Sequence, residues 1–139
     1  MRVWGYAKTI GELENLDEHT QFVLEAAAIT HDIGIPFAME KYGSAKGEFQ
    51  EKEGAEVVWD FLADTDISED DKARISFLLG HHHTPEEIDN IDYQILIEAD
   101  YLVNADDGKL PAEQVTAFAE AYFKTTAGKA LLKTILLAK

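Results

Sequence analysis

The chain contains no cysteine. Disulfides, thiolate zinc sites, iron–sulfur clusters and thiol nucleophiles are thereby excluded together. No apolar run approaches the roughly 18 residues of a membrane span, and the opening MRVWGYAKTIGELENL lacks the apolar segment of a secretory signal. Cations are scarce: 12 Lys and Arg stand against 27 Asp and Glu, a formal charge of −15. Such a surface repels nucleic-acid polymers and anionic membranes, so neither is expected as a partner. A phosphorylated ligand would need a local positive centre, for which a bound metal is the obvious candidate. No alternating strand-like run, internal repeat or low-complexity tract occurs either. These absences describe an acidic protein expected in the cytoplasm.

What is present is helical. Of the 139 residues 46% are hydrophobic, enough for one core and too few for two. Val3, Tyr6, Ala7, Ile10 and Leu13 recur at helical spacing. Asp17 can cap a second helix through Phe22, Leu24, Ala27, Ala28 and His31, stopped by Gly34 and Pro36. A glycine-punctuated loop from Tyr42 to Gly47 precedes helical spacing over residues 48–63. Ser68, with Asp71 three residues on, opens a helix running into His81. After the break at Thr84-Pro85, Asp92 starts a helix through Val103, and Pro111 stands where a first helical residue would. Leu131, Leu132, Ile135 and Leu136 mark a last segment, and the apolar stretch Ala130 to Ala138 can serve either the core or a homodimer contact. The expectation is an all-α, single-domain orthogonal bundle of about seven helices over residues 1–139.

Three places put metal-capable groups where the pattern expects apolar ones. His31-Asp32 ends helix 2, with small Ala27 and Ala28 one turn earlier. The plain alternative is a helix C-terminus with His31 on the dipole and Asp32 in water. Asp100 follows Leu96 by four residues and precedes Val103 by three, beside the apolar stripe. A carboxylate held there needs a cation, hydrogen-bond donors or a metal, unless it reaches water at the stripe's edge. His81, His82 and His83 are adjacent, so at most one or two can serve one site, and a solvated helix end is the alternative. Two carboxylates with an imidazole suit octahedral Mn, Fe, Co, Ni or Mg better than structural zinc. Such an ion lowers the pKa of a bound water.

His31-Asp32-Ile33-Gly34, then Gly80-His81-His82, then Glu98-Ala99-Asp100-Tyr101-Leu102-Val103-Asn104, in that order on helices, resembles the HD-domain metal-dependent phosphohydrolase superfamily. The resemblance covers roughly residues 3–104 and implies an all-α bundle. It also implies a divalent metal held by His31, Asp32 and Asp100. His81 and His82 match histidines that bind a second metal or contact phosphate in some branches. A small phosphorylated substrate, a phosphomonoester or a nucleotide, is implied with them. Another branch histidine, four residues before a Gly-Ala, is Gln50 here, ahead of Gly54-Ala55, which argues against a full two-metal set and against a di-iron oxygenase. Relatives carry a first metal-binding histidine one turn before a Val like Val3. Counting back from Val3 runs off the chain, and His19 sits in the wrong place to replace it. The expectation is therefore that the native start lies upstream and that helix 1 lacks its N-terminal part. Ile35 stands where many relatives carry Lys and where some nucleotidases carry their catalytic acid.

The segment Lys41 to Glu53 is the candidate substrate side. Lys41 and Lys46 are rare positive charges, Gln50 can face the metal, and Glu51 can act as a general acid or base. The catalytic candidates are thus His81, His82 and Glu51, and the substrate-binding candidates Lys41, Lys46 and Gln50. The competing reading, from a different class, is a non-catalytic module of the same fold that binds a nucleotide or a partner.

Overall fold

The computed structural model describes residues 2–108 and 110–138. Met1, on which the expectation about the chain's start rests, lies outside the described residues. Among those described there are eight α-helices, one short 3-10 turn and no strand. The helices are α1 (Arg2–Leu13), α2 (Glu18–Thr30), α3 (Ile35–Tyr42), α4 (Gly47–Phe61), α5 (Glu69–Leu79), α6 (Ile91–Asp106), α7 (Ala112–Tyr122) and α8 (Thr126–Ala138). The 3-10 turn, Pro85–Glu87, lies between α5 and α6. No single helix among the described residues is long and apolar enough to cross a membrane.

The helix starts follow capping chemistry. Asp17 accepts the Thr20 N–H at 2.7 Å and Ser68 accepts that of Asp71 at 3.1 Å, which opens α2 and α5 as their sequences suggest. Two boundaries differ from expectation. Asn90 rather than Asp92 caps α6, because the Asp92 carboxylate is engaged by Arg74 at 2.6 Å. Pro111 stands at the cap of α7, one position ahead of the first helical residue.

The helix that apolar spacing did not announce is α3, which brings the described helices to eight, in line with the expected bundle of about seven. Gly34 and Pro36 do stop α2, but Pro36 is also favourable in a first turn, where its missing N–H has no intrahelical partner. Gly43 then ends α3 in the left-handed region at φ 66°, donating its N–H to Met39 O. Gly34 has a second duty. A Cβ there would lie 2.5 Å from Gly54 N and 2.6 Å from Gln50 O, so only glycine lets α4 pass this close to the His31-Asp32 turn.

α6 is the axis of the core, packed against α1, α2 and α8. Tyr93, Ile95, Leu96, Ala99 and Leu102 are fully buried. Burial on nearly all sides also carries polar groups inward, including Glu98, which is 0% exposed. Glu98 is completely satisfied. It accepts from Gln94 Nε2 at 2.7 Å, Lys124 N at 2.9 Å, Thr125 N at 3.1 Å and Thr125 Oγ1 at 2.5 Å. One carboxylate thereby fastens the α7–α8 connection onto α6.

Candidate metal centre

The α2 C-terminus delivers His31 and Asp32, and α6 delivers Asp100 to meet them. His31 is buried among the small Ala27 and Ala28, which leave room for α6. Its Nδ1 lies 2.6 Å from Ala28 O; a carbonyl only accepts, so Nδ1 carries the proton. Nε2 then points at two carboxylates, Asp32 Oδ1 at 3.1 Å and Asp100 Oδ1 at 3.7 Å. A bare nitrogen lone pair facing two carboxylates is repulsive. Either a second proton or a shared cation reconciles the three groups. Burial opposes the charged imidazolium, but the hydrogen bond and charge of Asp32, with Ala28 O and Asp100, outweigh it and raise the His31 pKa. For Asp32 burial is likewise outweighed, chiefly by the His31 hydrogen bond, and its pKa falls. Asp100 goes the other way: burial dominates the facing imidazoles and raises its pKa.

The three adjacent histidines separate into three environments because the helix unwinds after Leu79. His82 is almost wholly buried, donates Nδ1–H to Leu79 O at 2.7 Å and packs edge-on to His31 with ring centroids 5.7 Å apart. Its Nε2 is buried without a partner. Burial, reinforced by the charge of His83, pushes its pKa down to about 3, so Nε2 is a bare lone pair at neutral pH. A neutral Nε2 lone pair has no proton to donate and suits a metal ligand.

His81 does not join the centre. It stacks on Phe77 at 4.1 Å and hydrogen-bonds Phe77 O at 2.8 Å, beside Tyr93. Of the three adjacent histidines it is His83 that faces Asp100. His83 Nδ1 stands 3.9 Å from Asp100 Oδ2.

Gln50 and Glu51 explain why His83 faces this way. Gln50 Nε2 donates to Ala45 O at 2.6 Å, which fixes its amide; Oε1 then accepts the His83 Nε2–H at 2.9 Å. Glu51 accepts the His83 N–H at 2.9 Å and the Thr84 hydroxyl at 2.6 Å. Both residues clamp the histidine turn, Glu51 through its Oε2 alone. Tyr93 adds a third tie by donating its hydroxyl to Thr84 O. The two lysines lie outside the centre: Lys41 is half exposed and pairs with Glu53 at 3.5 Å, and Lys46 is exposed at the cap of α4. His19 pairs with Asp71 at 2.7 Å on the surface, away from His31.

Beside Asp100 a cavity of about 120 Å³ opens, with His82 and His83 on one side and Ile97, Tyr101, Asn104 and Phe118 on the others. Asn104 and Tyr101 occur in the motif, but only the helical turn of α6 shows that they share a cavity with Asp100. Phe118 comes from α7.

The resemblance implies a divalent ion, and the donor types fit one. His31 and His82 both have Nδ1–H tied to a backbone carbonyl, the usual second-shell arrangement of metal-bound histidine; His31 Nε2 faces Asp32 and Asp100, and His82 Nε2 is buried without a partner. The unpartnered Nε2 of His82 is the clearest sign. The spacing is looser than the chemistry: among the described residues no group of three or more such side chains closes into a preformed metal site.

The chain is an all-α bundle in which a His-Asp doublet at the end of α2 meets a distant Asp of α6 beside His82 and His83. Residues 1–105 match the family model described as HD domain, and the chain belongs to that family, which is one of metal-dependent phosphohydrolases. Neither a curated protein nor a solved structure matches the chain significantly.

Proposed function

We propose that the chain is a metal-dependent phosphohydrolase acting on a small phosphomonoester. The observation that carries this is Asp100, a partly buried carboxylate that faces imidazoles at 3.7 and 3.9 Å, in a centre that also holds a buried histidine nitrogen with no partner. His31, Asp32, Asp100 and His82 are the residues that would hold a divalent ion. When bound, it supplies Lewis-acid polarisation of a phosphoryl oxygen and acidifies a water.

The chain's own residues supply orientation and a proton path. Hydrolysis forms a P–O bond from water, breaks the P–O bond to the leaving alcohol and passes one proton from the water to the leaving oxygen. His83 is placed for that transfer: with Nε2–H held by Gln50, its Nδ1 can take the proton and return it. Glu51 holds the backbone beneath it.

The test is a panel of phosphate esters with added Mn, Co, Ni or Mg, run beside Asp32→Ala. The expected outcome is at least one ester hydrolysed about 100-fold faster by the wild type, since even outer-shell losses cost about 10–100-fold. Rates equal to the variant's for every ester would defeat the proposal. The absence of a closed donor group among the described residues favours a second reading, a non-catalytic nucleotide-binding module. Thermal stabilisation by a nucleotide without metal and without turnover would select it.

A further inference from the structure

We infer that the cavity beside Asp100 is the leaving-group pocket, and that Phe118 limits this chain to phosphomonoesters of compact alcohols, excluding nucleotides. The inference rests on the phosphohydrolase reading and narrows its substrate class. On that reading the phosphoryl group would sit on the ion that His31, Asp32 and Asp100 would hold, so the rest of the ester extends either into the cavity adjoining Asp100 or out to solvent. The cavity is built to receive it. Its apolar walls are Pro85, Ile97 and the Tyr101–Phe118 pair, while Asn104 offers a polar group for a hydroxyl or carbonyl of the alcohol.

Size decides what fits. The volume is about 120 Å³, and an apolar cavity of about 150 Å³ accommodates benzene. An alcohol up to about the size of benzene is therefore accommodated between the walls, and a nucleoside would have to project out of the cavity past Phe118. The wall does not yield readily. Phe118 lies flat on Tyr101, with centroids 3.8 Å apart and planes within 2°, and Tyr101 packs edge-on to the fully buried Phe123. Phe123 in turn adjoins Lys124 and Thr125, which Glu98 fastens to α6. The closing wall is thus anchored to the same helix that presents Asp100.

The test measures binding of non-hydrolysable probes by calorimetry with Mn present: inorganic phosphate, propylphosphonate and the methylenephosphonate analogue of adenosine monophosphate. The wild type is expected to bind propylphosphonate at least about tenfold tighter than the adenosine probe, a modest steric penalty. Phe118→Ala should bring the two within about threefold by gaining the adenosine probe, and Phe118→Leu, which keeps most of the wall and guards against loss of fold, should keep most of the preference. Equal binding of both organic probes to the wild type, or a ratio unmoved by Phe118→Ala, would overturn the pocket while leaving the phosphohydrolase reading standing. Binding of none of the probes, phosphate included, would overturn that reading and the pocket with it.

Discussion

Two acids stand two residues apart on α6 and meet opposite fates. Glu98 is fully buried and receives four hydrogen bonds from Gln94, Lys124 and Thr125. Asp100 is only partly buried, with 18% of its side chain exposed, and its nearest cationic partners are imidazoles at 3.7 and 3.9 Å. A carboxylate that the protein completes is a fastening, and one left short of protein donors is open to water or a cation. The histidine turn repeats the contrast: His81 is spent on Phe77 O, whereas His82 keeps a bare Nε2 in the interior.

The sharpest way to break the comparison is to remove each acid and measure stability in chelator by urea denaturation. Glu98→Leu strands the donors of Gln94, Lys124 and Thr125 and should cost about 3–5 kcal/mol. Asp100→Asn removes a charge held without enough donors and should change stability by less than about 1 kcal/mol, or raise it. Equal losses would mean that Asp100 is a fastening too.

A smaller effect follows from His82. Its folded pKa is depressed to about 3, while the unfolded chain takes up the proton near the ordinary value of about 6.5. Its contribution is therefore complete above about pH 6.5 and is lost as pH falls toward 3, by about 1.4 kcal/mol per pH unit. Between about pH 6.5 and pH 4 the chelated wild type should lose stability more steeply than His82→Leu; parallel curves would show that His82 is not held neutral.

Smaller still is the clamp on the histidine turn. Glu51→Ala leaves the His83 N–H and the Thr84 hydroxyl without their acceptor and should cost about 1–3 kcal/mol. On hydrolysis of the best ester it should lower kcat about tenfold with KM little changed, as expected of a residue that positions His83. A kcat within twofold of wild type would remove Glu51 from the positioning role.

How much of this was legible in the sequence depends on the range of the interaction. Helix existence was readable, because each helix carries its own apolar period and, in α2 and α5, its own capping side chain. α3 was not, because Gly34 and Pro36 end one helix and start the next with the same punctuation. Asp100 announced itself as a charge beside the stripe of α6. Glu98 did not, although it is the more buried, since its donors come from a connection 26 and 27 residues away. The histidine turn was the hardest to read. Which of His81, His82 and His83 faces Asp100 is set by the backbone after Leu79 and by Gln50 and Glu51 on another helix. Lys41 and Lys46 stood out by their charge in an acidic chain, but charge alone says nothing of where a loop is placed.

The most direct measurement is calorimetric titration of Mn into the chelator-treated chain, with Asp100→Asn and Glu98→Gln alongside. An incomplete carboxylate predicts about one ion bound by the wild type, at least about tenfold weaker binding to Asp100→Asn and near-normal binding to Glu98→Gln. No binding by the wild type, or undiminished binding by Asp100→Asn, would contradict it.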